Sequence, residues 1–411
     1  MVILAAAIAL SPSFSAGEIA GGRVVEIRAE DILIVILGLV WLANFLISGR
    51  KKIEKPPLLL PILAWLGIGF FSVLTNWIFG NLDISRGFFY FLKEIEFFVI
   101  YFYVFYHIRS LDSAKFIIKI WILLGLVNVG WIIYQAFKGI HFYGEYGPGR
   151  FGEPGAAFPS GGFFLILFIF LFNILLYYYF KLNISNLKKG ILIIGIVGLS
   201  TGVFSSGSRI SFLGLIFALI LSFLFYSFKK GFLKPFIISV LILVFMGIIF
   251  IFVSSKVPDI KRSLNLEYIL AELTTTNPDS RLSIWKNQLS EFSNYPFAIF
   301  FGLGKSVLLT TDESHSQHVR NLIESGIIGS LIFLFLIFVI IKKSWQGFLS
   351  GESPFLIGLS GGLLVSTFAM LFISITAEAF VVVRIAEIYW FFAAITMAVL
   401  SFGNKQQAAN N

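Results

Sequence analysis

The chain has 411 residues, 58% of them hydrophobic and only 13% charged, with a mean hydropathy of +0.91. A soluble globular domain is nearer half apolar and a quarter charged, so this composition excludes one and requires that the excess face lipid. The absence of cysteine removes disulfides, thiolate nucleophiles and thiolate metal sites, and with four histidines no His-rich metal centre is expected; the net charge of +9 sits in short loops between apolar runs, not in a patch suited to nucleic acid.

A spanning helix takes about 20 apolar residues. By that measure the chain reads as an all-α integral membrane protein of about twelve spans, over 1–15, 31–49, 57–78, 88–108, 116–137, 161–180, 190–206, 210–228, 235–253, 322–341, 357–375 and 385–402. The first is short but lacks the charged start of a signal peptide, so it is read as a helix. Cations gather in alternate connections: Arg50, Lys51, Lys52 and Lys55; Arg109 and Lys115; Lys181, Lys188 and Lys189; Lys229, Lys230 and Lys234; Lys342 and Lys343. Lys and Arg mark the cytoplasmic side, which places both termini inside and 16–30, 79–87, 139–160, 207–209, 254–321 and 376–384 outside. The 254–321 loop, between spans nine and ten, is too long for a plain connector. It contains an amphipathic stretch from Arg281 to Phe292, with Leu282, Trp285 and Leu289 at helical spacing, and is expected to fold over the membrane surface. No fixed-period repeat divides the chain, so 1–411 is read as a single polytopic domain.

Several residues in these outer segments can carry chemistry. Arg209 ends Ser205-Ser206-Gly207-Ser208-Arg209, wedged between two apolar runs. A cation there is either functional, because buried charge is costly without a partner or a wet cavity, or an arginine reaching up to headgroups. Arg281 suits a diphosphate, which a guanidinium grips by paired hydrogen bonds; the plainer reading is a solvated helix start. His315 lies in Asp312-Glu313-Ser314-His315-Ser316-Gln317-His318. An imidazole is largely neutral at pH 7 and can take a proton from a hydroxyl, a role for which His318 competes and which a surface histidine need not have. His107 and His141 stand beside loop ends as interfacial residues. Lys93, Glu94 and Glu96 fall inside the fourth span, where Lys93 and Glu96 can pair on one helix face, or serve an ion relay. Arg86, Arg150 and Arg384 lie on the outer side near membrane level and together suggest an electropositive vestibule. Walker-type loops, dinucleotide fingerprints and HExxH motifs are missing, so cytosolic ATP is not expected to drive the chemistry.

Three ordered segments give the chain its resemblance to the O-antigen ligase and polymerase superfamily of bacterial envelope glycosyltransferases. Ser208-Arg209 is similar to the family's Thr/Ser-x-Ser-Arg-Gly element, with Ile210 in place of the usual glycine. Ser280-Arg281 through Trp285, then Pro296 and Gly302-Leu303-Gly304, looks like its Arg-x-x-x-Trp, Pro and Gly-x-Gly run. His315 through Asn321 and Glu324-Ser325-Gly326 to Gly329 is similar to its histidine and Glu-x-Gly pattern, although Ser316 and His318 depart from it. Arg150-Phe151-Gly152 with Pro154 is a shifted match to an earlier Arg-x-x-Gly-x-x-x-Pro segment.

The resemblance implies a GT-C-like enzyme of the bacterial inner membrane, a metal-independent and inverting glycosyltransferase without a cofactor. Its donor would be an undecaprenyl-diphosphate-linked glycan, and its acceptor lipid A core, a second lipid-linked glycan or a protein hydroxyl. It implies that Arg209 and Arg281 hold the diphosphate and that His315 is the base, with His318 as its rival and Arg150 in a weaker matching segment; Arg86 and Arg384 remain further site candidates from their position alone. A reading from another class is a flippase or transporter of lipid-linked sugars, since many spans and intramembrane charges suit one. Paired halves with matching broken helices, which a transporter would favour, are not evident in the sequence.

Overall fold

The computed structural model describes residues 1–19, 23–47, 55–80, 82–138, 149–151, 157–179, 186–230, 281–307, 314–351 and 353–410. The expected ninth span, 235–253, and the start of the long outer loop lie outside them. Helices are α1 (Val2–Leu10), α2 (Ala29–Ile47), α3 (Leu59–Ile78), α4 (Ile84–His107), α5 (Leu111–Lys138), α6 (Ala157–Tyr179), α7 (Asn186–Ser205), α8 (Arg209–Lys230), α9 (Arg281–Phe292), α10 (Ala298–Phe301), α11 (Gln317–Ser350), α12 (Pro354–Ile373) and α13 (Val383–Asn410). Among the described residues seven are long and apolar enough to cross a membrane: α3, α5, α6, α8, α11, α12 and α13. The protein is a multi-pass helical membrane protein.

Burial sorts these helices. The span of α6 is 94% buried and those of α13 and α12 are 83% and 78% buried, so they form the centre; α3, α5 and α8 bury only 44% and turn the rest outward. Phenylalanines of α6 knit the centre, with Phe170 stacked on Phe392 of α13 at 4.3 Å. Small residues allow the helices to close up: a methyl group on Gly358 of α12 would lie 2.7 Å from the Ile174 backbone of α6.

One expectation is corrected near the N-terminus. The first helix stops at Leu10, short of residue 15, because Ser11 precedes Pro12 and takes an extended conformation. The following segment, which the sequence left without a structure, forms a strand pair. Strands β1 (Ser13–Ile19) and β2 (Arg23–Arg28) pair antiparallel, Ser13 opposite Arg28 and Phe14 opposite Ile27, a short addition to an otherwise all-α fold.

Helix α4 carries its charges because the bundle neutralises them. Lys93 bonds Glu96 at 3.2 Å, as the spacing predicts, and also meets Asp31 of α2 at 2.5 Å. Glu94, on the neighbouring face, accepts from the Trp65 indole of α3 at 2.7 Å.

Candidate active site

Residues 297–307 run down the flank of α3 from its end into its middle. Phe297 meets Phe79 edge-on, Phe301 meets Phe71, and Lys305 Nζ sits 4.5 Å above the Trp65 ring. Trp65 lies thirteen residues before the end of α3, about 20 Å along the axis. The stretch therefore re-enters the bundle to about mid-span.

Glycines make the descent possible. Gly302 and Gly326 have φ of 82° and 67°, and the backbones cross in contact: a methyl group on Gly302 would lie 2.3 Å from Glu324, and one on Gly326 2.3 Å from Phe300. The Gly326 conformation also breaks α11 into two helical pieces. Across the crossing the Leu303 amide donates to the Ile323 carbonyl at 2.7 Å and the Gly304 amide to that of Glu324 at 3.1 Å. The Ser72 hydroxyl and the Asn76 amide of α3 tie down the carbonyls of Glu324 and Gly302. The Gly-x-Gly and Glu-x-Gly motifs are thus two halves of one backbone junction.

A ladder of buried ion pairs starts there. Lys305 meets Glu94 at 3.0 Å and Glu324 at 3.7 Å; Arg320 meets Glu324 at 2.8 Å and also pairs with Glu378, in the connection between α12 and α13. Glu324 additionally accepts from the Ser306 amide at 2.8 Å. Each carboxylate has a cation and at least one further donor, the condition under which buried charge is tolerated.

The ladder ends at His315. Both the amide and the hydroxyl of Ser314 donate to Glu378 Oε1, at 3.0 and 2.9 Å. On the other side the Ser314 carbonyl accepts from the Trp285 indole of α9 at 2.7 Å. Just beyond, the Gln317 amide donates to the carbonyls of Ser374 and Ala377. His315 is held between these ties with φ of 51°, a left-handed conformation uncommon for a residue with a side chain and one that gathers at functional sites. Burial opposes ionisation of Glu378, but the Arg320 guanidinium and the two Ser314 donors outweigh it and hold the carboxyl below its ordinary range.

The other expected site residues divide. Arg281 opens α9 one turn before Trp285, on the face that also buries Gln288 and Phe292, so the helix bringing Arg281 is fastened to the His315 turn. Leu282 and Leu289, grouped with Trp285 by helical spacing, are each more than a third exposed and lie beside the buried face of α9. Arg209 opens α8 after the Gly207 turn and is partly buried. Five residues on, Gly214 packs against Ile373, next to the Ser374 carbonyl that receives Gln317. The starts of α8 and α9 and the His315 turn therefore gather at one end of the bundle. His318 is exposed on the first turn of α11. Arg86 is buried, with Nε 3.4 Å from the Ser306 hydroxyl of the re-entrant stretch.

Arg150 and Arg384 do not face a vestibule; both are fully buried. Arg150 donates to the Ala9 carbonyl at 2.7 Å, while Arg384 donates to those of Ile8 and Ser11, both at 2.9 Å, and pairs with Glu30. They cap the end of α1, where helix carbonyls lack partners and the dipole favours cations.

Sequence reading passed over Lys305, Arg320 and Glu378. The i,i+4 spacing of Arg320 and Glu324 was a visible signal. Glu378 had none beyond its place in the last outer connection.

Arg209, Arg281 and His315 all fall inside a stretch with a recognisable relative. Residues 194–334 match the O-antigen ligase family. This agrees with the resemblance carried by the motifs and links the O-antigen ligase domain to glycan transfer in O-antigen and polysaccharide processing. A comparison with curated proteins gives no match.

Proposed function

We propose that the protein transfers a glycan from an undecaprenyl-diphosphate-linked donor to an acceptor hydroxyl at the outer face of the cytoplasmic membrane. The single observation that supports this best is the His315 turn, strained and tied on one side to Glu378 and on the other to the helix bearing Arg281, within the matched segment. In this reading His315 removes the acceptor proton as the hydroxyl oxygen bonds to the anomeric carbon. The bond from that carbon to the diphosphate breaks, and undecaprenyl diphosphate leaves with the electron pair. Attack opposite the leaving group inverts configuration. Arg209 and Arg281 neutralise the charge growing on the diphosphate, the part a divalent cation plays in other transferases.

The architecture that fits is GT-C-like, with about twelve spans, both termini cytoplasmic and 254–321 as one extracytoplasmic loop. Lipid A core, another lipid-linked glycan and a protein hydroxyl are all suitable acceptors. The test is purified protein incubated with a lipid-diphosphate oligosaccharide and each acceptor in turn, with products read by mass. His315→Ala is expected to insert and accumulate normally while transfer falls by about 10²–10⁴-fold, the usual contribution of a general base. Undiminished transfer by that variant would remove His315 from the role and leave His318 to be tried.

A further inference from the structure

We propose that one flank of α9, continued through residues 295–300, is seated in the outer leaflet of the bilayer and holds the Arg281 and Trp285 face over the active-site end of the bundle. The helix has three faces. Arg281, Trp285, Gln288 and Phe292 turn toward the protein; Asn287 and Ser290 are exposed and polar; between them Leu282 and Leu289 are exposed and apolar, with Lys286 at their edge. After the helix, Tyr295, Phe297 and Phe300 are exposed as well, Phe297 and Phe300 by 54% and 55%. An apolar surface of this kind in water is costly, and the occupant is indicated by what it adjoins.

Phe297 touches Phe79, itself 66% exposed at the end of α3, with ring centroids 6.1 Å apart. Below Phe79, α3 continues as a membrane-crossing helix whose outward side shows Phe70, Phe71 and Leu63. The apolar flank is thus the upper continuation of a lipid-facing wall. Aromatic rings at that level suit the bilayer interface, and Lys286 can bury its stem while its ammonium meets anionic headgroups. A helix lying in this plane would keep the adjoining, protein-facing side, and so Arg281, at the depth where a lipid-borne diphosphate resides. The seating itself depends on the bilayer alone, whereas this last consequence rests on the function proposed above.

The chain has no cysteine, so single labels can be placed without a background. Leu282→Cys, Leu289→Cys and Phe300→Cys, and Asn287→Cys and Ser290→Cys as the polar-face set, are labelled with an environment-sensitive fluorophore. The full-length proteins are reconstituted in phosphatidylethanolamine and phosphatidylglycerol vesicles. Quenching by lipids with a nitroxide near the headgroup is expected to be at least about twofold stronger at 282, 289 and 300 than at 287 and 290. Equal quenching across the set, or stronger quenching at 287 and 290, overturns the proposal. So does protection of 282 and 289 from both lipid and aqueous quenchers, which would mean that a second protein surface covers them. Because the readout is fluorescence, a protein without transferase activity still reports on the seating, and the two readings fail separately.

Discussion

Four arginines contrast two regions of the molecule. Arg150 and Arg384 are fully buried and donate to the last carbonyls of α1, whereas Arg209 and Arg281 each open a helix at the end of the bundle near the His315 turn and keep part of their surface exposed. In sequence all four are arginines expected on the outer side. Their neighbours separate them: a guanidinium enclosed by helix carbonyls and a glutamate serves the fold, while one at the start of a half-open helix can meet an anion that arrives later.

The sharpest way to break this contrast is to remove one member from each region. Arg384→Ala leaves Glu30 and Glu387 buried without their guanidinium and α1 without a cap. Breaking a buried pair from one side costs about 3–5 kcal/mol, so we expect a sharply lower melting temperature in detergent and little accumulated protein. Arg281→Ala should accumulate and melt as wild type does. Its transfer should fall by roughly 10²-fold, from loss of a charge-assisted contact to the leaving group. Arg281→Lys should recover only part of it, since a lysine cannot make the paired contact. If Arg281→Ala instead lost stability and Arg384→Ala lost only turnover, the assignment of the two regions would be reversed.

How much of this was legible in the sequence follows from the same contrast. Apolar runs of span length predicted most helices, because lipid imposes a length that composition alone reveals. The pairing of Lys93 with Glu96 came from helical spacing. The stop at Ser11 was written in Pro12 but hidden by the apolar run around it, and the β-hairpin was too short and mixed to stand out. Ordered motifs brought out Arg209, Arg281 and His315. They could not show that Gly302 and Gly326 cross each other, nor that Glu378 reaches back to Ser314 across 64 positions, because such contacts are set by packing between distant segments.

That long-range contact sharpens the comparison at smaller scale. Glu378→Gln should insert normally, yet it removes the charge that binds Arg320 and weakens the acceptor that fixes the His315 turn. A loss of about tenfold in turnover, with little change in the affinity for the donor, is expected if the glutamate acts through the backbone of His315. The folded carboxyl titrates below its unfolded counterpart. Its ionised form therefore stabilises the protein above the ordinary carboxylate range, near pH 4, and that contribution is lost as pH falls through the lower, folded value. Thermal melts of wild type and Glu378→Gln should converge on acidification through that window, and parallel curves would show that the charge contributes nothing to the fold.

The smallest effect concerns a carboxylate beside Arg384. Both oxygens of Glu387 are buried with no hydrogen-bond partner, and a guanidinium nitrogen of Arg384 is 3.8 Å away. One of its oxygens also lies within 4.8 Å of one oxygen each of Glu30 and Asp31. Arg384 is closer to Glu30, so its attraction to Glu387 is weak beside the desolvation of that carboxylate and the repulsion of two like neighbours. Glu387→Gln keeps the shape and removes the charge. It should leave transfer unchanged and raise stability by up to about 1 kcal/mol, seen as a small upward shift in melting temperature. A loss approaching that of Arg384→Ala would mean that the charge on Glu387 is needed to hold the guanidinium against α1, and the cap of that helix would then be a three-member device instead of an arginine and one glutamate.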